Sequence, residues 1–459
     1  MQTEGITVIG SCVAAKVPED LALFFANGIL VDRRNGTPME MDGYSLYLAL
    51  KALEMRTGRD YSVERRALVD AVLHRMSACN GFWRHGAWTG SDSEIHLRFT
   101  AAAIRLLAEG LADGLVSSAS IPLNALRKHL AYRDILEMGN WFLHDSLESP
   151  ASNVAQPAPH TRNRAWSSSP TNCLVLNTHI DTLITIFHVL RRVGMPDAAR
   201  RSLRQQLESG LGALHGVLDA DQGIPWRVLT SLDSRLRAGM FRTYSPPRTA
   251  LWKRAVRGVL VRGYFPLRQR LRARYPGFVW DDGYLERDIS LRGLYFEYHV
   301  ANLYDLSILL IQLKRQKRSS YAALADRCAV LIDRGIDYVI ESDYWTFLLS
   351  TTTQHGKAIL LCEAIIARLG TRSEAAAPQR WISAYCRIRR LVPPSPALLG
   401  YDPLVVNETV PAATPSIGFD IGTLANARRF TIDIENERCV IEHAASNDAR
   451  CSHCEGAQI

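Results

Sequence analysis

Five stretches of this chain open on an aromatic or imidazole ring and then run apolar at helical spacing. They are GYSLYLALKALEMRTG from Gly43, EIHLRFTAAAIRLLAEG from Glu94, NTHIDTLITIFHVLRRVG from Asn177, EYHVANLYDLSILLIQLK from Glu297 and TQHGKAILLCEAIIARLG from Thr353. Aligned on Tyr44, His96, His179, His299 and His355, the residues four on are Leu48, Thr100, Leu183, Leu303 and Ile359, and those eleven on are Met55, Leu107, Leu190, Leu310 and Ile366. Such offsets share one face of an α-helix. A stripe repeated in this way describes units that bury their apolar faces against one another, which is a helical repeat architecture. Gly58, Gly110, Gly194 and Gly370 follow the ring by fourteen or fifteen residues, a spacing that predicts left-handed helix ends.

The steps between repeats are 52, 83, 120 and 56 residues. An antiparallel helix pair with its loops needs roughly 45–55 residues, so the short steps are single pairs. The step of 83 predicts a return helix near 123–147 and then a Pro-, Ser- and Asn-rich loop up to Asn172; the step of 120 predicts a return helix near 197–218. Five to six pairs emerge, and the long loops that precede the repeated helices suit an all-α (α/α) toroid better than an open solenoid. The expected division is an N-terminal segment 1–35 with a short strand near 7–13, a toroid 36–392 with a basic insertion 242–276, and a C-terminal appendage 393–459. In the appendage RFTIDI and RCVIEHA alternate as a β-hairpin.

Composition excludes several classes. An apolar fraction of 47% and a charged fraction of 22% exclude disorder. The longest apolar run, ITVIGSCVAA, is about half the roughly 20 residues of a membrane span, and Gln2, Thr3 and Glu4 ahead of it are not a basic leader. A cytoplasmic location is expected. Nine cysteines, several inside predicted helices (Cys79, Cys328, Cys362, Cys386), read as reduced thiols. Cys451, His453 and Cys454 have the spacing of half a zinc site, but only Cys439 stands near them, so no metal is assigned.

In a toroid the N-terminal ends of the inner helices converge on the mouth, where their backbone N–H groups favour anions. Tyr44, His96, His179, His299 and His355 would meet there, with Glu94, Asn177, Asp181, Glu297 and Tyr298 beside them. The preceding loops add Trp88, Trp166, Trp280, Asp281, Asp282, Tyr284 and Arg292. Asn177-Thr178-His179 followed by Leu183 resembles the Asn-x-His-x-x-x-Leu helix start of the cellobiose and N-acylglucosamine 2-epimerases. Thr178-His179-Ile180 with Leu183 is similar to a helix of the uronyl 5-epimerases, and Tyr298-His299 resembles a late inner helix of the 2-epimerases. Asp181 stands where the 2-epimerases commonly place a second histidine. The resemblance implies the helix-pair toroid that these enzymes share with heparinase-like lyases, and an acidic poly- or oligosaccharide or lipid-linked glycan as substrate.

The implied chemistry is removal of the C5 proton of a uronate by His179, His299, Tyr298 or His96, with epimerisation or elimination as the outcome. It needs no organic cofactor, and the chain carries no P-loop, Gly-x-Gly-x-x-Gly or His-Glu-x-x-His motif. A glycoside hydrolase would instead pair Asp281 or Asp282 with Glu94 or Glu297. A non-enzymatic scaffold would leave the histidines spread along a ridge.

From 242 to 274 the chain has ten Lys or Arg and no acid. Leu251, Trp252, Val256 and Val259 fall on one side of a helix and Lys253, Arg254 and Arg257 on the other, the profile of a helix on an anionic membrane surface. No nucleic-acid module surrounds it, so nucleic acid is not an expected partner.

Overall fold

The structure, a computed structural model, describes residues 23–26, 29–32, 43–44, 47–48, 50–51, 54, 58, 60–79, 81–84, 94–149, 172–219, 223–245, 250–274, 277–289, 295–350, 352–372, 377–391, 416–421 and 428–443. The chain is mostly helical. After a two-stranded hairpin, β1 (Leu23–Ala26) and β2 (Ile29–Asp32), the described residues between 43 and 54 are helical. Then come α1 (Ser62–Ala78), α2 (Leu97–Ala112), α3 (Ser120–His129), β3 (Arg133–Leu136) and β4 (Gly139–Phe142). Next are α4 (Leu176–Arg192), α5 (Asp197–Asp219), α6 (Gly223–Arg242), α7 (Leu251–Val259) and α8 (Phe265–Arg274). The body closes with α9 (Tyr298–Gln316), α10 (Ala322–Glu341), the short α11 (Tyr344–Leu348), α12 (Thr352–Thr371) and α13 (Gln379–Leu391), followed by β5 (Ser416–Ile421), β6 (Arg428–Asp433) and β7 (Arg438–His443).

The repeated stretches are α2, α4, α9 and α12, and they lie side by side in that order. Their bonds show that they run parallel. Near the N-terminal ends Arg98 of α2 reaches the Asn177 carbonyl of α4; near the C-terminal ends Arg192 of α4 meets Glu109 of α2, and Lys314 of α9 meets the Thr371 carbonyl of α12. Outside them pack the return helices α3, α5, α10 and α13. The repeated stripe is the core between the layers: Thr100, Leu183, Leu303 and Ile359 are buried, as are Leu107, Leu310 and Ile366. A layer of helices hydrophobic nearly all round can exist only when covered on both sides.

Two local expectations are corrected and a third is extended. The helix expected over 123–147 stops at His129 and gives way to the β3–β4 hairpin, where Gly139 at φ +140 passes so close to α5 that a Cβ would stand 2.1 Å from the Ser209 carbonyl oxygen. Of the four glycines read as helix ends, Gly58 takes a left-handed φ of +68, whereas Gly110 lies buried inside α2 against Val69 and Val116. The C-terminal hairpin forms between β6 and β7, and β5 adds a third antiparallel strand on the β6 side. Ile432 buries this sheet on the body, and Arg390 of α13 is bonded to Glu437.

Candidate functional site

His179 and His299 occupy matching positions and do matching work. The Phe142 amide donates to His179 Nδ1 at 3.0 Å, which leaves Nε2–H to donate to the Gly210 carbonyl at 3.1 Å. The Leu285 amide donates to His299 Nδ1 at 2.9 Å, and Nε2–H donates to the Gly335 carbonyl at 3.2 Å. Each imidazole lies against an aromatic ring, Trp141 at 4.0 Å and Tyr284 at 5.0 Å between centroids. His179 thus ties strand β4, and His299 the loop before α9, to the return helix that follows. The glycines leave room for this close approach: a Cβ on Gly210 would meet the end of the Leu183 side chain at 2.7 Å, and one on Gly335 that of Leu303 at 2.3 Å. Burial pushes both imidazoles down to about 3. Expected to face a shared pocket, the two rings instead face the return helices, with both nitrogens engaged by backbone.

A different set of side chains gathers at the N-terminal ends of the inner helices. Residues 94–96 pair with 144–146, since Leu97 donates to the His144 carbonyl and Ser146 to the Ile95 carbonyl. This pairing puts Glu94, His96, His144 and Asp145 together; the His96 and His144 rings meet edge-on at 4.5 Å. Residues 287–289 pair with 173–176 and bring in Arg287. Arg287 donates to His144 Nε2 at 3.1 Å, so His144 Nδ1–H is left to donate to Thr178 at 2.7 Å. The same guanidinium covers Tyr295 and Tyr298, each at 4.6 Å. Below, Arg98 forms a two-pronged ion pair with Asp305 at 2.9 and 3.0 Å.

Lys357, one and a half turns into α12, places its ammonium 4.7 Å from the centre of the Tyr298 ring. Among the described residues it makes no hydrogen bond or ion pair. Burial lowers it to about 8, against the opposing pull of nearby Glu297. The carboxyls are displaced the other way. Burial, and then the neighbouring Glu94 and Glu148, raise Asp145 to about 8; burial raises Glu148 to about 7, and Asp305 to about 6 in spite of Arg98. Among the described residues the buried Oδ1 atoms of Asn177 and Asn302 and Oδ2 of Asp145 have no hydrogen-bond partner. Groups with displaced protonation and unmet polar atoms in one patch mark it as the candidate site.

Of the residues singled out in the sequence, the structure brings Glu94, His96, Asn177, Glu297 and Tyr298 into this patch. Arg98, His144, Asp145, Arg287, Asp305 and Lys357 join them unannounced. Asp181 is tied to Arg105 at 2.8 Å deeper between α2 and α4, and Tyr44 stacks on that same guanidinium at 5.0 Å. Asp281 accepts from Thr230, and Asp282 pairs with Arg237 and caps the turn at Gly283, whose φ is +95. Trp280 and Tyr284 are buried. Lys253 and Arg257, read as lipid-facing, bond to the body instead, whereas Trp252 and Arg254 are exposed. Trp88, Trp166, Arg292, Cys451, His453, Cys454 and the strand at 7–13 lie outside the described residues, as does the His355 side chain.

Among the described residues no group of three His, Cys, Asp or Glu is arranged to hold a metal ion, and no helix is long and apolar enough to cross a membrane. No family, no curated protein and no solved structure matches this chain at a significant level.

Proposed function

We propose that the helix pairs close into an (α/α) toroid in the cytoplasm whose mouth removes a proton from an acidic sugar of a polysaccharide or lipid-linked glycan, as a uronate epimerase or lyase. The observation that carries this reading is Lys357, an amine beside Tyr298 with no hydrogen bond or ion pair among the described residues, close to the guanidiniums of Arg98 and Arg287, which pair with Asp305 and Asp288. An amine lowered to about 8 is half neutral near pH 8 and in that form can accept a proton. It takes the C5 proton of the uronate, and the electron pair moves into the carboxylate, whose growing charge the guanidiniums and helix ends stabilise. Return of a proton from Tyr298 on the opposite face gives the epimer. Departure of the 4-linked oxygen gives the unsaturated lyase product.

The test is incubation of the protein with uronate-containing polysaccharides in D2O. Deuterium at C5, or an unsaturated uronate end, supports the reading; neither product across a panel of such polymers removes it. Asp145 supports a second reading, because a carboxyl raised to about 8 stays protonated at neutral pH and suits the general acid of a glycoside hydrolase. New reducing ends, lost in Asp145→Asn and retained in Lys357→Met, would select it.

A further inference from the structure

We propose that the helix α7 and the turn after it dock this protein on the surface of an anionic phospholipid bilayer, with the apolar side of the helix facing the lipid. In α7 the ordinary polarity of a surface helix is inverted. Leu251, Trp252, Val256 and Val259 fall within an arc of about 140° at 100° per residue, and this arc points outward. Leu251 is 80% exposed, Val259 71% and Trp252 62%, in a chain where most residues of these types are buried.

The opposite side holds the helix to the body through its cations. Lys253 donates to the Ser245 carbonyl at 2.7 Å and hydroxyl at 2.6 Å; Arg257 donates to the Thr243 carbonyl at 2.6 Å and lies 4.5 Å over the Tyr244 ring. A helix that turns two of its three cations inward and its apolar side outward leaves a patch which water does not favour, and such patches mark interaction surfaces.

What covers the patch follows from its rim. Arg254 within the helix and Arg262 in the turn after it are exposed, and 242–274 contains no Asp or Glu. Cations bordering an apolar strip with a tryptophan at its edge fit a bilayer, where the ring and aliphatic groups enter the interface and the guanidiniums meet lipid phosphates. The repulsive side of the design is equally clear: no acid in the segment would be driven against a negative surface.

The test uses the full chain and sedimentation with vesicles of phosphatidylcholine, with and without phosphatidylserine. The protein should pellet with the anionic vesicles alone, and less as salt rises, since surface charges are screened over about 10 Å at 0.1 M salt. The double variant Trp252→Ser, Val259→Ser removes only exposed side chains and should keep its circular dichroism while binding more than about tenfold more weakly. Arg254→Gln with Arg262→Gln should also weaken binding and flatten its salt dependence.

Failure of the unaltered protein to pellet with anionic vesicles overturns the proposal, as does equal binding to pure phosphatidylcholine. So does unchanged binding by the serine variant. Concentration-dependent dimers in sedimentation velocity, lost in the serine variant and accompanied by no vesicle binding, would assign the patch to a second copy of the chain. Absence of both dimers and vesicle binding would leave it to an acidic protein partner, and would equally refute the lipid. None of these outcomes bears on the reaction at Lys357, which a soluble glycan fragment tests separately.

Discussion

The histidine ties of α4 and α9 and the patch around Lys357 sit on the same inner helices, a turn or two apart, and treat buried polarity in opposite ways. In the ties every imidazole nitrogen has a backbone partner, the ring is neutral, and an aromatic face covers it. In the patch, burial raises the carboxyls of Asp145 and Glu148, an amine lies against an aromatic ring without a hydrogen bond, and asparagine oxygens are unmet among the described residues. Satisfied polar groups lock one arrangement of loop and helix; unsatisfied ones carry an energetic cost that binding a ligand would relieve. A ring at the start of a repeated helix is therefore no guide to chemistry by itself, because what its two nitrogens meet decides its role.

The glycines give the largest expected effect. Gly283→Ala forces an alanine into φ +95 and sets its Cβ 2.5 Å from the Arg334 carbonyl oxygen, and Gly139→Ala repeats the clash at Ser209. Backbone strain of 1–3 kcal/mol with overpacking added predicts a loss of about 3 kcal/mol or more from each, measured by urea unfolding. If either variant were as stable as the parent, the matched geometry of the two ties would be wrong.

His179→Ala and His299→Ala should follow closely. Each strands a buried amide and a buried carbonyl, at about 1–3 kcal/mol apiece, and opens a cavity beside Trp141 or Tyr284. Large instability, with turnover per folded molecule retained, separates a tie from a base. Loss of turnover at full stability would return these histidines to the mechanism.

How much of this was legible in the sequence follows from what each signal depends on. The stripe through Leu183 and Leu303 is a local periodicity, so the inner helices, the return helix α5 and the β6–β7 hairpin could be read directly. The equivalence of His179 and His299 was visible too, but their direction was not. It depends on Gly210 and Gly335, which lie 31 and 36 residues away and mean nothing until the return helices pack. Arg98, Asp305 and Lys357 looked like ordinary helix residues. Arg98 and Asp305 are 207 positions apart and met only through the parallel order of the helices. In α7 the amphipathic pattern was plain, whereas its inversion depended on Thr243 and Ser245 taking the cations.

The pH dependence of stability should divide the two regions by sign. His179, His299 and His129 are lowered to about 3 by burial. Below about 6.5 the unfolded chain binds protons that these folded rings refuse, so stability falls as pH drops from there toward 3, by up to about 1.4 kcal/mol per unit for each ring. Asp145, Glu148 and Asp305 are raised, so the stability they give is complete below about pH 4 and is lost as pH rises toward 8, 7 and 6 respectively. Urea midpoints measured across this range should show His179→Gln flattening the acid limb and Asp145→Asn flattening the alkaline one. An alkaline limb unchanged in Asp145→Asn would mean that this carboxyl is ionised in the folded protein.

The smallest effect on stability, and the sharpest on chemistry, is expected at Lys357. Replacing it by methionine keeps most of the length of the side chain and removes an ammonium that is partly buried and makes no hydrogen bond or ion pair among the described residues. The contact with Tyr298 is lost, at about 0.5–2 kcal/mol, but so is the penalty of keeping a charge out of water. The two oppose, and the unfolding free energy should move by no more than about 1 kcal/mol in either direction. Arginine cannot substitute, since it stays protonated at any working pH and accepts no proton. Proton exchange at the uronate C5 should therefore fall more than about a hundredfold in both Lys357→Met and Lys357→Arg. Were Lys357→Arg fully active, the lysine would be holding the substrate carboxylate, and the base would have to be sought in Tyr298. Were Lys357→Met as damaging to stability as His179→Ala, the amine would belong with the ties, and the contrast between the two regions would collapse.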